Sequence, residues 1–233
     1  MMSFPTQVIP NFSGPNCAGQ FFCWDWVGAN WFSVLQPALI QHIWISALAV
    51  LFGLVISIAA ALYAVRNSWF EKGFSALATF LYTVPALAFF LLMVPITGLN
   101  VGTVLIGLTG YTLLLLFANT VTGLRAAPPE TIAAADGMGL TRNQVLFKVQ
   151  LPLALPSIMA GIRIAVVTVI SLETVAAQVV QAGLGTPLFN AQRNVFTTGL
   201  ITTGLLAIAL ALVADALVVQ LQKLVTPWVQ ARR

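Results

Sequence analysis

Few side chains of this sequence are suited to acid–base, nucleophilic or metal chemistry. It contains one histidine, His42, and three further ionisable residues in strongly apolar surroundings, Arg163, Glu173 and Asp215. An enzyme site needs a nucleophile with a nearby base, a metal-ligand cluster or a nucleotide-binding glycine loop, and we find none of these patterns. We therefore predict that the chain is not an enzyme and itself binds no metal or cofactor.

The composition explains why these four residues stand out. Of 233 residues, 59% are hydrophobic and 7% charged, whereas about 25% of an average soluble domain is charged. A helix that crosses a bilayer needs roughly 20 mostly apolar residues and pairs its own backbone groups. We expect an all-α membrane protein. Because its basic residues are dispersed, nucleic acid is not an expected partner.

Charges and turn residues divide the apolar sequence into five predicted transmembrane helices. An external segment, 1–37, precedes the transmembrane domain, 38–222, and a cytoplasmic tail, 223–233, follows it. A long polar loop, 125–154, separates the third and fourth helices. The predicted spans are 38–65, 74–94, 101–124, 155–180 and 200–221.

Basic residues predict the orientation, because short loops rich in Lys and Arg stay in the cytoplasm. One side carries only Arg193. The other carries the remaining basic loop residues, namely Arg66, Lys72, Arg125, Arg142, Lys148, Lys223, Arg232 and Arg233. This distribution predicts an external N-terminus and a cytoplasmic C-terminus.

The polar loop contains residues that favour the starts and ends of two short helices. Proline suits the first helical turn, so the first helix is predicted to begin near Pro129 and to end by Gly139. Thr141 and Gln144 match a capping box, which predicts a second helix from residue 142. We expect that helix to end before Pro152.

The spacing within this loop resembles the signature of a transporter family. The stretch Ala133-Ala134-Ala135-x3-Gly139-x9-Val149-x-Leu151-Pro152 is similar to the E-A-A-x3-G-x9-I-x-L-P signature of ABC importer permeases of the type I fold. In that family the first short helix is the coupling helix, which docks into a groove of the cytoplasmic ATPase. The resemblance implies ATPase contacts by Glu130, Ala133, Ala134, Ala135, Asp136, Gly139, Leu140, Leu151 and Pro152. Ala133 replaces the signature glutamate, and a carboxylate three residues away, Glu130 or Asp136, would substitute for it.

Further stretches, 113–125, 135–141, 151–163 and 182–185, are similar to osmoprotectant importer permeases, which import glycine betaine, choline and carnitine. The resemblance implies a permease subunit of a bacterial inner membrane. Its implied partners are a second permease subunit, identical or different, an external solute-binding protein, and an ATPase dimer that holds ATP and Mg²⁺. Two alternatives remain: import of another small solute such as an amino acid, and a membrane assembly subunit without a transport path.

Ionisable residues inside a membrane are expected to face protein or water. For Glu173, predicted to lie mid-span, two roles are open: attracting a cationic solute along the path, or bonding to Ser or Thr on another helix. Arg163 is expected to extend towards the cytoplasmic surface. Asp215 is expected to make a structural pairing or to lie in a watery position, and His42 to be an interfacial side chain.

Uncharged residues complete the predicted path. Phe89 and Tyr111 are candidates to stack on a quaternary ammonium group, although packing is the alternative. Asn119 is the polar member of the set, and Pro85 is expected to bend the second span. In the external segment, Cys17 and Cys23 are either bridged or free thiols.

Overall fold

The computed structural model describes residues 20–230, and all regular structure in this range is helical. The helices are α1 (Trp24–Asn30), α2 (Gln36–Ala64), α3 (Ser68–Thr83), α4 (Ala86–Thr97), α5 (Val101–Arg125), α6 (Pro129–Gly137), α7 (Arg142–Val145), α8 (Leu151–Ala176), α9 (Gly185–Arg193), α10 (Thr197–Val225) and α11 (Pro227–Gln230). Four continuous helical segments in this range are long and apolar enough to cross a membrane, and a bent pair, α3 with α4, makes a fifth. The predicted all-α membrane fold is confirmed.

The first membrane helix is longer than predicted. A π-helical turn, Trp31–Leu35, joins α1 to α2, so the helix is continuous over Trp24–Ala64. Residues 24–37, which we assigned to an external segment, are therefore largely part of the same continuous helix. At 1.5 Å per residue this helix is about 60 Å long, and a hydrocarbon layer is about 30 Å thick, so one part must lie beyond that layer.

A second π-helical turn, Leu146–Gln150, joins α7 to α8. The prediction that the second loop helix ends before Pro152 is wrong, since the helix is continuous over Arg142–Ala176. Both π-turns come directly before a proline near the start of the next helix, Pro37 or Pro152. Proline donates no backbone hydrogen bond, and a wider turn just before it lets the helix continue.

The second span is broken at Val84 and Pro85, where α3 and α4 meet at 103°. At one end Arg125 of α5 donates two hydrogen bonds, of 2.8 and 2.5 Å, to the Glu71 carboxylate of α3. At the other end Thr97 of α4 bonds to Thr103 of α5 at 2.7 Å. The bent pair therefore extends from one end of α5 to the other, and the bend predicted at Pro85 is present.

Helix α5 is the centre of the bundle, and it contacts α2, α3, α4 and α8. Small residues allow these close contacts. A Cβ on Gly53 of α2 would lie 1.8 Å from the Thr112 hydroxyl of α5, and a Cβ on Gly123 of α5 would lie 3.0 Å from the Ala154 carbonyl of α8. Added side-chain bulk at these crossings would push the helices apart.

We predict that Gly123→Ala lowers the thermal stability of the permease in detergent micelles, whereas Gly110→Ala does not. Both glycines lie in α5, and both substitutions gain the helix propensity of alanine, worth about 1 kcal/mol. The Gly123 methyl would meet Ser157 Cβ at 2.8 Å, but the nearest atom to a Gly110 methyl is a Leu81 methyl at 3.8 Å. Equal melting temperatures for the two variants would contradict the close crossing of α5 and α8.

Candidate functional site

Helix α6 stands on the surface of the polar loop. Glu130, Ala133, Ala134 and Asp136 are exposed, while Ala135 is only 1% exposed and holds the helix against the protein. The exposed residues therefore form one surface that is open to another protein.

The end of α6 is fixed by a Schellman motif. The Leu140 amide donates to the Ala135 carbonyl at 3.1 Å, and the Gly139 amide donates to the Asp136 carbonyl at 2.9 Å. Gly139 has a φ of +78°, a conformation that glycine adopts without steric cost, and it is exposed. The turn after α6 therefore has a defined geometry.

The predicted capping box of α7 is confirmed. The Gln144 amide donates to Thr141 Oγ1, and the Gln144 side-chain oxygen accepts from the Thr141 amide at 2.8 Å. Leu151 and Pro152, which we expected to contact the ATPase, are half-buried at the start of α8, and Leu151 packs on a hydrophobic cluster that includes Leu124 and Leu146. Helix α6 is thus joined to α8 through short, hydrogen-bonded turns and one continuous helix.

A cleft of about 620 Å³ lies between α6, α7 and the end of α2. Arg66, Asp136 and Arg142 line it, and Arg66 donates to the Asn143 side chain at 2.5 Å. Glu130 is outside this lining, so the two acids proposed to replace the signature glutamate have different surroundings.

Two of the predicted path residues, Phe89 and Tyr111, meet at the bend of the second span. Their ring centroids are 5.8 Å apart, and Tyr82 is 6.1 Å from Tyr111. The Tyr111 hydroxyl donates to the Val84 carbonyl, which lies in the break between α3 and α4. Tyr111 therefore pairs a backbone group that the bend leaves outside both helices.

Asn119, the third predicted path residue, lies away from these rings, at the crossing of α5 and α8. Its side chain donates to the Leu115 carbonyl of its own helix at 2.8 Å, and Ser157 donates to the Asn119 carbonyl at the same distance. A Cβ on Gly161 would be 2.8 Å from Asn119 Cβ. In this conformation Asn119 contributes to helix packing.

Glu173 lies in the last turn of α8 and not mid-span, because α8 ends at Ala176. Its side chain is fully buried, so it lines no open path in this conformation. The Ser46 hydroxyl of α2 donates to Glu173 Oε2 at 2.6 Å. Of the two roles considered for Glu173, the structure contains the bond to a serine of another helix.

His42 is fully buried among protein groups, whereas we expected an interfacial side chain. Its Nδ1 accepts from the Leu184 amide at 3.1 Å, so Nε2 carries the proton and donates to the Ile170 carbonyl at 3.1 Å. His42 Nδ1 is also 3.5 Å from Glu173 Oε1. The bond from the Leu184 amide replaces water for a backbone group in the loop after α8, and the bond to Ile170 ties His42 to α8.

The loop after α8 is held by a second bond to α2, since the Gly183 amide donates to the Gln41 side chain at 3.0 Å. Gly183 has a φ of +56°, and a Cβ there would be 2.6 Å from His42 Nδ1. We call this set the His42 cluster; its members are Gln41, His42, Ser46, Glu173, Gly183 and Leu184. It was not predicted from the sequence, because His42 and Glu173 were considered singly. The signal was Gln41, His42 and Ser46 within two turns of an apolar helix.

Arg163 and Asp215 form an ion pair between α8 and α10, so the expectation that Arg163 extends alone to the surface is wrong. The guanidinium donates from Nε and Nη2 to the two carboxylate oxygens, the second bond at 2.8 Å. The structural pairing considered for Asp215 is present. The bidentate geometry fixes the relative position of the two helices.

Cys17 lies outside the described residues, so its bridge to Cys23 stays a prediction. Cys23 itself is 1% exposed, and its amide donates to Thr198 Oγ1 at 3.0 Å. Trp26 packs edge-on against Phe196 at 4.9 Å. These contacts fasten the start of α1 to the start of α10.

Comparison with known proteins decides the family. Residues 53–230 match the family described as the binding-protein-dependent transport system inner membrane component. The chain belongs to this family. It is a permease subunit and a multi-pass membrane protein.

Relatives with known roles support the assignment. The chain is 37% identical over 161 residues to the osmoprotectant import permease protein OsmW of Salmonella typhimurium, covering 67% of this chain and 75% of OsmW. It is 32% identical to the carnitine transport permease protein OpuCB of Listeria monocytogenes, covering 69% of this permease and 73% of OpuCB. Identity to the choline transport system permease protein OpuBD of Bacillus subtilis is also 32%, over 69% of this permease and 71% of OpuBD.

Among solved structures, a chain of the MetNI methionine ABC transporter in an inward-facing conformation has the same fold. The TM-score is 0.73 at 21% identity, over 80% of this permease and 93% of that chain. At this identity the match establishes the fold, and it confirms the expected importer-permease architecture.

We predict that Ser46→Ala lowers the thermal stability of the permease in micelles, whereas Ser171→Ala leaves it unchanged. Loss of the Ser46 hydroxyl removes a hydrogen bond to the fully buried Glu173 carboxyl group, which costs about 1–3 kcal/mol. Ser171 is exposed and bonds only to the Val167 carbonyl of its own helix. A Ser46→Ala variant as stable as the control would show that this bond in the His42 cluster contributes nothing to the fold.

Proposed function

We propose that this permease forms, with a second permease subunit, the membrane path of an ATP-driven importer of quaternary-amine osmoprotectants. The relatives named for import of osmoprotectants, carnitine and choline support this substrate class. Five spans of one chain are too few to enclose a path, so the second subunit, identical or paralogous, completes it. An external solute-binding protein delivers the solute, as the family description implies.

The observation that carries the proposal is the exposed surface of α6 and its rigid connection to α8. A cytoplasmic ATPase dimer, which binds ATP and Mg²⁺, docks on this surface through Glu130, Ala133 and Ala134. Two short turns with fixed hydrogen bonds, followed by an unbroken helix, transmit a displacement of α6 to the membrane. Because α8 packs on α5 and α10, that displacement rearranges the centre of the bundle.

The orientation follows from the same loop. Docking on a cytoplasmic ATPase requires α6 on the cytoplasmic side, which agrees with the basic residues that precede and follow it, Arg125 and Arg142. The His42 cluster then lies at the opposite, external surface, where solute arrives. ATP binding draws the two α6 helices of the permease pair together and opens the path outwards, and hydrolysis resets it.

We predict that Ala134→Arg abolishes uptake, whereas Ala126→Arg preserves most of it. Both alanines are exposed in the polar loop, but only Ala134 lies on α6, where a large charged side chain blocks docking. The measurement is ATP-driven uptake of labelled glycine betaine into proteoliposomes that contain the ATPase, with the binding protein added. The melting temperature of each variant checks folding. Wild-type uptake by a correctly folded Ala134→Arg variant would exclude α6 as the ATPase contact.

We predict that unlabelled choline and carnitine reduce the uptake of labelled glycine betaine in the same proteoliposomes, and that methionine does not. The first two solutes share the methylated ammonium group with glycine betaine, and methionine lacks it. Uptake of labelled methionine by the same proteoliposomes, with no uptake of glycine betaine, would favour the alternative of an amino-acid importer.

A further inference from the structure

The ion pair of Arg163 and Asp215 lies within two apolar helical segments that are long enough to cross a membrane. Arg163 is about 18 Å along α8 from Leu151, and Asp215 is about 12 Å along α10 from Lys223. Both residues therefore lie at least two helical turns inside their apolar segments.

The pair is open to its surroundings. The side chains of Arg163 and Asp215 are 51% and 26% exposed in the single permease chain. A charged group that faces lipid at this depth costs at least about 2.5 kcal/mol, so this face must border water or protein. A path shared with the second permease subunit provides such surroundings.

An apolar groove of about 200 Å³ lies beside the pair, between α2, α8 and α10. Val166 of the groove is one helical turn from Arg163, and Ala214 is the neighbour of Asp215 in the chain. The side chains that line the groove are aliphatic apart from Ser46: Ile43, Ala47, Val50, Val166, Ile170, Leu210 and Ala214. One region therefore contains the Arg163 guanidinium, which can bind a carboxylate, the anionic Asp215 and an aliphatic groove.

The geometry points to a solute site in which Arg163 binds a carboxylate, Asp215 attracts a methylated ammonium group, and the groove holds the methyl groups. The inference rests on the proposed function and specifies how the path recognises zwitterionic members of the substrate class. Arginine binds carboxylates through two parallel hydrogen bonds, as Arg163 already does with Asp215. A quaternary ammonium group donates no hydrogen bond, so a carboxylate with aliphatic neighbours suits it.

Binding at this site exchanges one interaction for two. The solute carboxylate takes the place of Asp215 on the guanidinium, and the released Asp215 pairs with the solute cation. The total charge of the region stays zero, so no charge is left unpaired in the membrane. The ion pair between α8 and α10 is broken at the same time. Bound solute therefore changes how α10 contacts α8, the helix that follows α6.

The test compares a zwitterion with a cation that lacks the carboxylate. Uptake of glycine betaine and of choline is measured at solute concentrations well below saturation, in proteoliposomes with the ATPase and binding protein. We expect Arg163→Gln to reduce glycine betaine uptake by roughly tenfold or more, the factor for losing one charge-assisted hydrogen bond. Choline uptake should fall much less. Arg193→Gln, which removes an exposed arginine of α9, is the control and should leave both unchanged.

A charge exchange distinguishes binding from helix packing. The double variant Arg163→Asp with Asp215→Arg can re-form the ion pair between α8 and α10, so its melting temperature should return towards the wild-type value. If the pair only holds the helices together, uptake of both solutes returns as well. We expect glycine betaine uptake to stay low, because the two charges now lie on the wrong helices for the bound orientation.

Three outcomes would each contradict a different part of the proposal. Equal losses of glycine betaine and choline uptake in Arg163→Gln would exclude carboxylate recognition. Full recovery of glycine betaine uptake in the exchanged variant would show that the ion pair only holds α8 and α10 together. Wild-type proteoliposomes that import neither solute would overturn the proposed function, and the ligand class with it.

Discussion

Every backbone group inside a lipid layer must be paired by the protein, and this constraint explains how the permease bends its helices. Where the second span breaks at Pro85, the Tyr111 hydroxyl pairs the Val84 carbonyl. Where the chain leaves α8, His42 and Gln41 pair the amides of Leu184 and Gly183. At Pro37 and Pro152 a π-helical turn preserves the helix. Each irregularity is therefore local, and the bundle around it stays intact.

The same constraint separates rigid segments from hinges. Helix α8 continues through its proline into the polar loop, so it acts as one body with α7 and follows α6. The second span is instead divided into two helices that depend on one tyrosine hydroxyl and on contacts with α5. A displacement of α6 thus reaches the membrane through a stiff helix, while the bent pair provides the adjustable contact on the other side of α5.

Sequence patterns predicted what depends on local chemistry. The length of the hydrophobic stretches predicted the spans. Pro129 and the Thr141–Gln144 capping box predicted the loop helices, and Pro85 predicted the bend. Patterns did not show that Pro152 continues a helix, since only the wider π-turn permits it. Nor did they show the partners of His42, Arg163 and Glu173, which are more than fifty residues away in the chain. Pairing of buried polar groups depends on the helix packing, which composition leaves undetermined.

The two polar clusters inside the bundle differ in burial, and this difference assigns them different roles. Around Glu173 and His42, hydrogen bonds to α2, α8 and the following loop are shut off from solvent, so opening the cluster would leave backbone groups unpaired. That cost keeps the loop after α8 in place. Arg163 and Asp215 hold only each other, are partly exposed, and pair no backbone group across the gap. An exchange of their partners would therefore leave no backbone group unpaired.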